Sequence, residues 1–296
     1  RSLMRILWRL LLSGRVRPSW RDYDLYRWNS RCKREGLTAT VRLELRELLA
    51  PKVALKKPFR LSGEELKTPT RIDQLVDWEL MLATDHVRSA MRDLADAHWK
   101  AAMPLLIDDF QLLLRDAMDL LHELGAANDR NDRSHWDLPS ITPHWQNRGF
   151  HDWVTLIELL RDSWLAVRET DRARATRIAQ NWFEFPYPVF KRLALFSASQ
   201  DGCIPPTQWV DWLLSDDAWW LWSIETRREV FRLLALQGRH LAGAEQDRLE
   251  AAILAGPPQE MLNGQPELDW WAQQRSQLRR QHDYRPYSCA VCNPIQ

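Results

Sequence analysis

Residues 152–199, DWVTLIELLRDSWLAVRETDRARATRIAQNWFEFPYPVFKRLALFSAS, read as three helices in series, and the fold class follows from them. Trp153, Leu156, Ile157, Leu160, Trp164 and Val167 recur at helical spacing behind Asp152, a good N-cap. Thr170 can cap a second helix that buries Ala175, Ile178, Ala179 and Trp182. Pro186 and Pro188 break it, because proline lacks the amide donor and clashes inside a helix. Pro188 is tolerated in a first turn, so a third helix begins there and ends near Gly202.

Three more helices come after these. Pro206 opens one that carries the densest apolar run of the chain, WVDWLLSDDAWWLWS at 209–223. Ser223 is expected to cap the next, with Ile224, Phe231 and Leu234 inward and Gly238 as its stop. The last ends at Ala255-Gly256-Pro257-Pro258. Helix pairs thus recur at about 35 residues, within the range of helical-repeat arrays. The expected fold is all-α, with antiparallel helical hairpins stacked as an α-solenoid of the HEAT or TPR kind around a long irregular loop.

Outward from this core, the chain divides into a basic helical segment (1–61), a helical segment (62–125), the loop (126–151), the three hairpins (152–258) and a tail (259–296). In the first segment the pattern gives helices at 3–12 and 38–50, an aromatic turn at 20–28, and the only credible extended stretch after Pro51. In the second, Thr70 caps a helix carrying Ile72, Leu75, Val76 and Leu82, and Asp85 caps one carrying Val87, Met91, Leu94 and His98. Pro104 starts a long helix with Leu106, Phe110, Leu113, Ala117, Leu120 and Leu124 in one stripe. A loop as long as 126–151 is uncommon unless functional, and its apolar content predicts partial order against its neighbours.

Composition narrows the function without naming it. Hydrophobic residues make up 45% and charged residues 27%, which excludes wholesale disorder. No apolar run approaches the length of a membrane span. The first 60 residues hold 16 Lys and Arg against 5 Asp and Glu; with a net charge of +1 overall, the remainder carries −10. Arginines 17, 21, 27 and 31 interleave with Trp20, Tyr23, Tyr26 and Trp28, a pattern that suits nucleic-acid stacking. Its charges are spread around helices, so any such binding is expected to be weak. The 17 tryptophans could be stacking platforms, but most fall at inward helical positions and are expected in the core.

Catalytic signatures do not assemble. Cys289-x-x-Cys292 is half a zinc site and, with His282, still lacks a ligand. His122-Glu123 has Ala126 where a second zinc histidine would stand. Asp129, Asn131 and Arg133 do not fit a calcium loop. A metal hydrolase around His144, His151 and Asp152 is the least favoured reading. Asp108-Asp109 and Asp216-Asp217 are expected near helix starts, where negative charge suits the dipole. Neither a catalytic residue nor a cofactor nor a metal is therefore expected, and four cysteines without a disulfide framework suit a reducing cytoplasm.

Several stretches carry a likeness: LWRLLLSGRVRP (7–18), LRELLAPKVALKKPFR (45–60), PSITPHWQNRGFHDWVTLIELLRDSW (139–164), FPYPVFKRLALFSAS (185–199), WWLWSIETRREVFRLLA (219–235) and ILAGPP (253–258). Together they resemble the C-terminal helical, sensor-like region of large bacterial defence-type proteins. In that family a sirtuin-like or STAND-type NTPase module precedes the helices and holds the enzymatic residues. The resemblance implies a non-catalytic recognition and scaffolding region, a piece of a longer chain, that binds a protein partner or its own upstream domain. The apolar face of Leu3, Ile6, Leu7, Leu10 and Leu11 would then be covered by what precedes it. The candidate interaction surface is drawn from the loop: Arg130, His135, Trp136, His144, Trp145, Gln146, Asn147 and Arg148.

Overall fold

The computed structural model describes residues 24–56, 77–93, 96–147 and 151–262. The expected helix at 3–12, the linker at 62–69, Arg148, and the tail cysteines with His282 lie outside the described residues.

Helices α1 (Asp24–Glu35) and α2 (Ala39–Leu48) lead into an antiparallel pair, β1 (Pro51–Lys56) and β2 (Asp77–Leu82), in register from Pro51↔Leu82 to Lys56↔Asp77. Helix α3 (Val87–Asp93) precedes the long α4 (Ala97–Glu123), and α5 (Ser134–Asp137) is one turn within the central loop. A 3-10 turn at Asp152–Val154 then opens the series α6 (Thr155–Thr170), α7 (Arg172–Glu184), α8 (Pro188–Ala198), α9 (Pro206–Trp222), α10 (Arg227–Gln237), α11 (Ala244–Ala255) and α12 (Gln259–Leu262). The described chain is mostly helical, and its one sheet has two strands. Along the series α6 packs on α4 and α7, α7 on α8, α8 on α10, and α9 on α10 and α11.

Four local expectations are corrected. Residues 20–28 are not all turn, because α1 takes up Asp24 onward and buries Leu25, Trp28 and Cys32 at helical spacing. Of the helix expected from Thr70 to Leu82, residues 70–76 lie outside the described residues, and its end is instead β2, in which Leu80 and Leu82 alternate inward against β1. Pro104 lies inside α4 instead of starting it. The helix begins at Asp96, whose side chain accepts from the Trp99 amide at 2.9 Å. Burying Trp99, Ala102 and Met103 on the stripe of Leu106 and Phe110 outweighs a proline cost of about 3 kcal/mol. His98 therefore sits on α4. Finally, Asp109 is mid-helix and buried, so the dipole does not explain it; Arg42 of α2 pairs with it.

The tryptophans mostly fill the core, as large side chains with one polar tip do when that tip finds a partner. Trp28 donates to the Val41 carbonyl at 2.7 Å, and Trp164 to the Ala175 carbonyl at 2.8 Å. Trp212 stacks on Phe183 at 4.8 Å. Trp222, also expected inside, is only half-buried.

The dense run of α9 is broken in its middle. Ser215 is extended, and Asp216, Asp217 and Ala218 are all left-handed, with φ of 51°, 59° and 61°. Asp216-Asp217 therefore marks a reversal of backbone hand, not a helix start. The break lets Trp212 and Trp220 both face inward, and the Trp220 indole donates to the Asp216 carboxylate at 3.0 Å. Left-handed backbone costs an L-residue roughly 1–2 kcal/mol, less for Asp. Asp217 is exposed, so Asp217→Gly should stabilise the chain by about 0.5–1 kcal/mol, read as a higher urea midpoint at unchanged slope.

Candidate functional site: the central segment and the cleft beside α10

Residues 126–147 carry little regular structure but are tied down throughout. Asn128 folds a turn by accepting from the Arg130 and Asn131 amides, both at 2.8 Å. Asp132 is fully buried and accepts from the Ser134 amide at 2.9 Å and the Val189 amide at 2.5 Å. Val189 stands in the first turn of α8, where backbone donors have no partner within the helix. Asp132 is thus a remote cap, linking the loop to that helix.

Burial pushes the Asp132 carboxyl above its ordinary range and the nearby Glu225 charge adds to this, against the hydrogen bonds from Ser134 and Val189. A raised carboxyl favours the fold when protonated. That contribution is complete below the unfolded value of about 3.9 and is lost as pH rises through the folded value.

The second tie is an ion pair. Nearly all of α8 is buried, including Arg192 at 0% exposure. Its guanidinium reaches Glu229 of α10 at 3.1 and 3.2 Å, the Ser134 hydroxyl at 3.1 Å and the Leu138 carbonyl at 2.8 Å. Glu229 also accepts from the Ile141 amide at 2.8 Å, and Arg161 of α6 donates to the Ile141 carbonyl at 2.8 Å. The planar fork of arginine makes such multiple recognition possible. Asn147 closes the segment, its side chain exchanging hydrogen bonds with the backbone of Ser140 at 3.1 and 2.8 Å.

The pair also sets the face of α10. With Glu229 turned inward beside Val230 and Leu233, Ile224 and Phe231 face out, at 56% and 59% exposure. This overturns the expectation that both are core. Ser223 is not the cap of α10 either: its hydroxyl accepts from the Glu225 amide at 3.2 Å, and the helix starts later, at Arg227.

A cleft of about 420 Å³ lies where α10 meets the segment, lined by His135, Glu225, Arg227, Arg228, Ile224 and Phe231 among others. At its floor His135 Nδ1 lies 2.6 Å from Glu225 Oε2. In the tautomer whose Nδ1 donates to the carboxylate, Nε2 is left as an acceptor. His135 Nε2 and Glu225 Oε1 are both buried, with no partner among the described residues.

The expected surface residues divide by role. Trp136 and Trp145 are exposed, at 69% and 65%. His135 lines the cleft and Trp136 sits 4.9 Å from it, while Arg228, also of the cleft, donates to the Gln146 side chain. Arg130 is used locally, its guanidinium 4.0 Å over the Trp219 ring. Asn147 is a staple, and His144 accepts from the Gln146 amide at 3.2 Å. Arg148 is outside the described residues. His144 and His151 do not converge: His151 faces Glu79 and Asp137 at 3.7 and 3.8 Å.

Reading the loop alone missed Glu225, Arg227, Arg228, Ile224 and Phe231. The available signal was two adjacent arginines at the start of a helix, where the dipole opposes positive charge. No helix among the described residues is long and apolar enough to cross a membrane. No family model, curated protein or solved structure matches the chain.

Proposed function

We propose that this chain is a non-catalytic recognition and scaffolding region. Its helical hairpins stack as a solenoid and present residues 126–147 and the start of α10 to a protein partner or to a neighbouring domain of the same polypeptide. The observation that carries this is Trp136 and Trp145, exposed on a segment that buried polar contacts hold rigid. Exposed tryptophans normally cost solvation, and interface hot spots are enriched in Trp and Arg. Rigid presentation also reduces the ordering cost of binding. Cys32 and Cys203, buried free thiols, suit a reducing cytoplasm.

Nucleic-acid binding through the basic first segment is the second reading, favoured by a cleft of about 540 Å³ lined by Tyr26, Arg27, Arg31 and Arg34. It is weakened because Arg31 is paired with Glu35 and Glu44, and Arg34 with Glu35.

A photo-crosslinking residue at position 136 should trap a protein, and the same residue at exposed Leu254 of α11 should not. Against the partner so identified, Trp136→Ala with Trp145→Ala should weaken binding at least tenfold, about 1.4 kcal/mol or more. Unchanged affinity would reject this surface, and crosslinks to nucleic acid in place of protein would favour the second reading.

A further inference from the structure

We propose that the cleft between α10 and residues 135–139 is a binding site for a small zwitterion, namely a free α-amino acid with an apolar side chain. This goes beyond the docking surface above and stands whether or not the tryptophans bind a partner.

Three features of the cleft match the three parts of such a molecule. The first is a pair of buried polar atoms, unpartnered among the described residues, on two residues that line it. The Glu225 side chain is 1% exposed, its Oε2 is taken by His135, and its Oε1 has no partner among the described residues. His135 Nε2 is likewise without one. Leaving a buried carboxylate oxygen unsatisfied is costly, and an ammonium group offers three donors. Both atoms are buried, so side chains at the cleft must turn before the ammonium group reaches them, a common change on binding.

The second feature is the uncompensated positive charge at the rim. Arg227 and Arg228 occupy the first turn of the eleven-residue α10, where the helix dipole opposes cations. The acid of that turn, Glu229, is already committed to Arg192 and to the Ile141 amide. Arg228 donates to the neutral Gln146 side chain, and Arg227 lies 5.5 Å over the Phe231 ring. Neither has a carboxylate partner among the described residues. A carboxylate here would meet two guanidiniums and the positive end of a helix.

The third feature is the apolar wall of Ile224 and Phe231, exposed along the same cleft. Ammonium inward, carboxylate at the arginines and side chain on this wall account for all three together. A simple anion would leave the floor unsatisfied, and a simple amine would leave the rim uncompensated. The volume of about 420 Å³ lies in the ordinary range for small-molecule sites.

Isothermal titration of the full chain with L-phenylalanine and L-leucine tests this. At least one should bind with a Kd below about 1 mM. N-acetyl-L-phenylalanine, which lacks the ammonium, and L-phenylalanine amide, which lacks the carboxylate, should each bind at least tenfold more weakly. Glu225→Gln should weaken the amino acid at least tenfold. Exposed Arg227→Gln should do so too, and it keeps the test valid if the buried substitution disturbs folding. Absence of binding by both amino acids to the folded chain overturns the proposal. So does equal binding of the acetylated compound, or an Arg227→Gln variant that binds as the parent does.

Discussion

Arg192→Ala should lower the unfolding free energy by about 3–5 kcal/mol, the usual cost of removing one partner of a buried ion pair. The cost comes from what remains. Glu229, only 3% exposed, would keep its charge without its cation, and the Leu138 carbonyl and Ser134 hydroxyl would lose their donor. Lysine cannot replace the fork, so Arg192→Lys should recover only part of the loss. The damage should also be local. Trypsin should cut after Arg130 or Arg133 in the variant at protease levels that spare the parent, since residues 126–147 lose their main anchor. Urea unfolding and mapped proteolysis read the two effects separately. A loss under about 1 kcal/mol is the figure of an exposed pair and would be incompatible with this burial.

Trp212→Ala should cost a similar amount, about 3–5 kcal/mol, as other large aromatic truncations in cores do. Trp212 is 6% exposed and lies nearly parallel to Phe183, with an interplanar angle of 9°. Removing it strips the face of Phe183 and leaves a void between α7 and α9. Trp222→Ala, at a half-buried site on the same helix, should cost clearly less. The contrast between the two, measured by thermal and urea unfolding, separates a core role from a general effect of losing tryptophan. If both variants melted with the parent, the tryptophan run would be surface.

The helices from 152 onward were legible because proline, glycine and apolar spacing act locally. Two caps were not: Asp152 lies in a 3-10 turn before α6, and Asp171, not Thr170, caps α7. Pro188 and Pro206 each open a helix where expected, and Gly202, Gly243 and Gly256 take the left-handed backbone that separates helices. The N-terminal half was less legible. Strand β2 depends on pairing with β1 across the chain, and its short alternation can be absorbed into a helical pattern. Pro104 misled because burial of Trp99 and Met103, a tertiary term, outweighed a local rule. The same holds for α10. Apolarity placed Ile224 and Phe231 inside, but the charge of Glu229 sits there because Arg192 requires it. Hydrophobic periodicity carries no information about a buried ion pair, and so the cleft, which that pair exposes, could not be read from the loop alone.

The ties of the central segment have a consequence in time. Ile141 is held by Glu229, 88 positions later in the chain, and His135 by Glu225, 90 positions later. At a synthesis rate of 5–20 residues per second, that separation is about 4–18 s during which the segment exists without these two partners. Its tryptophans, loop backbone and Asp132 are then open to solvent, to chaperones and to proteases. The ties of this segment are complete only when α10 has emerged and docked.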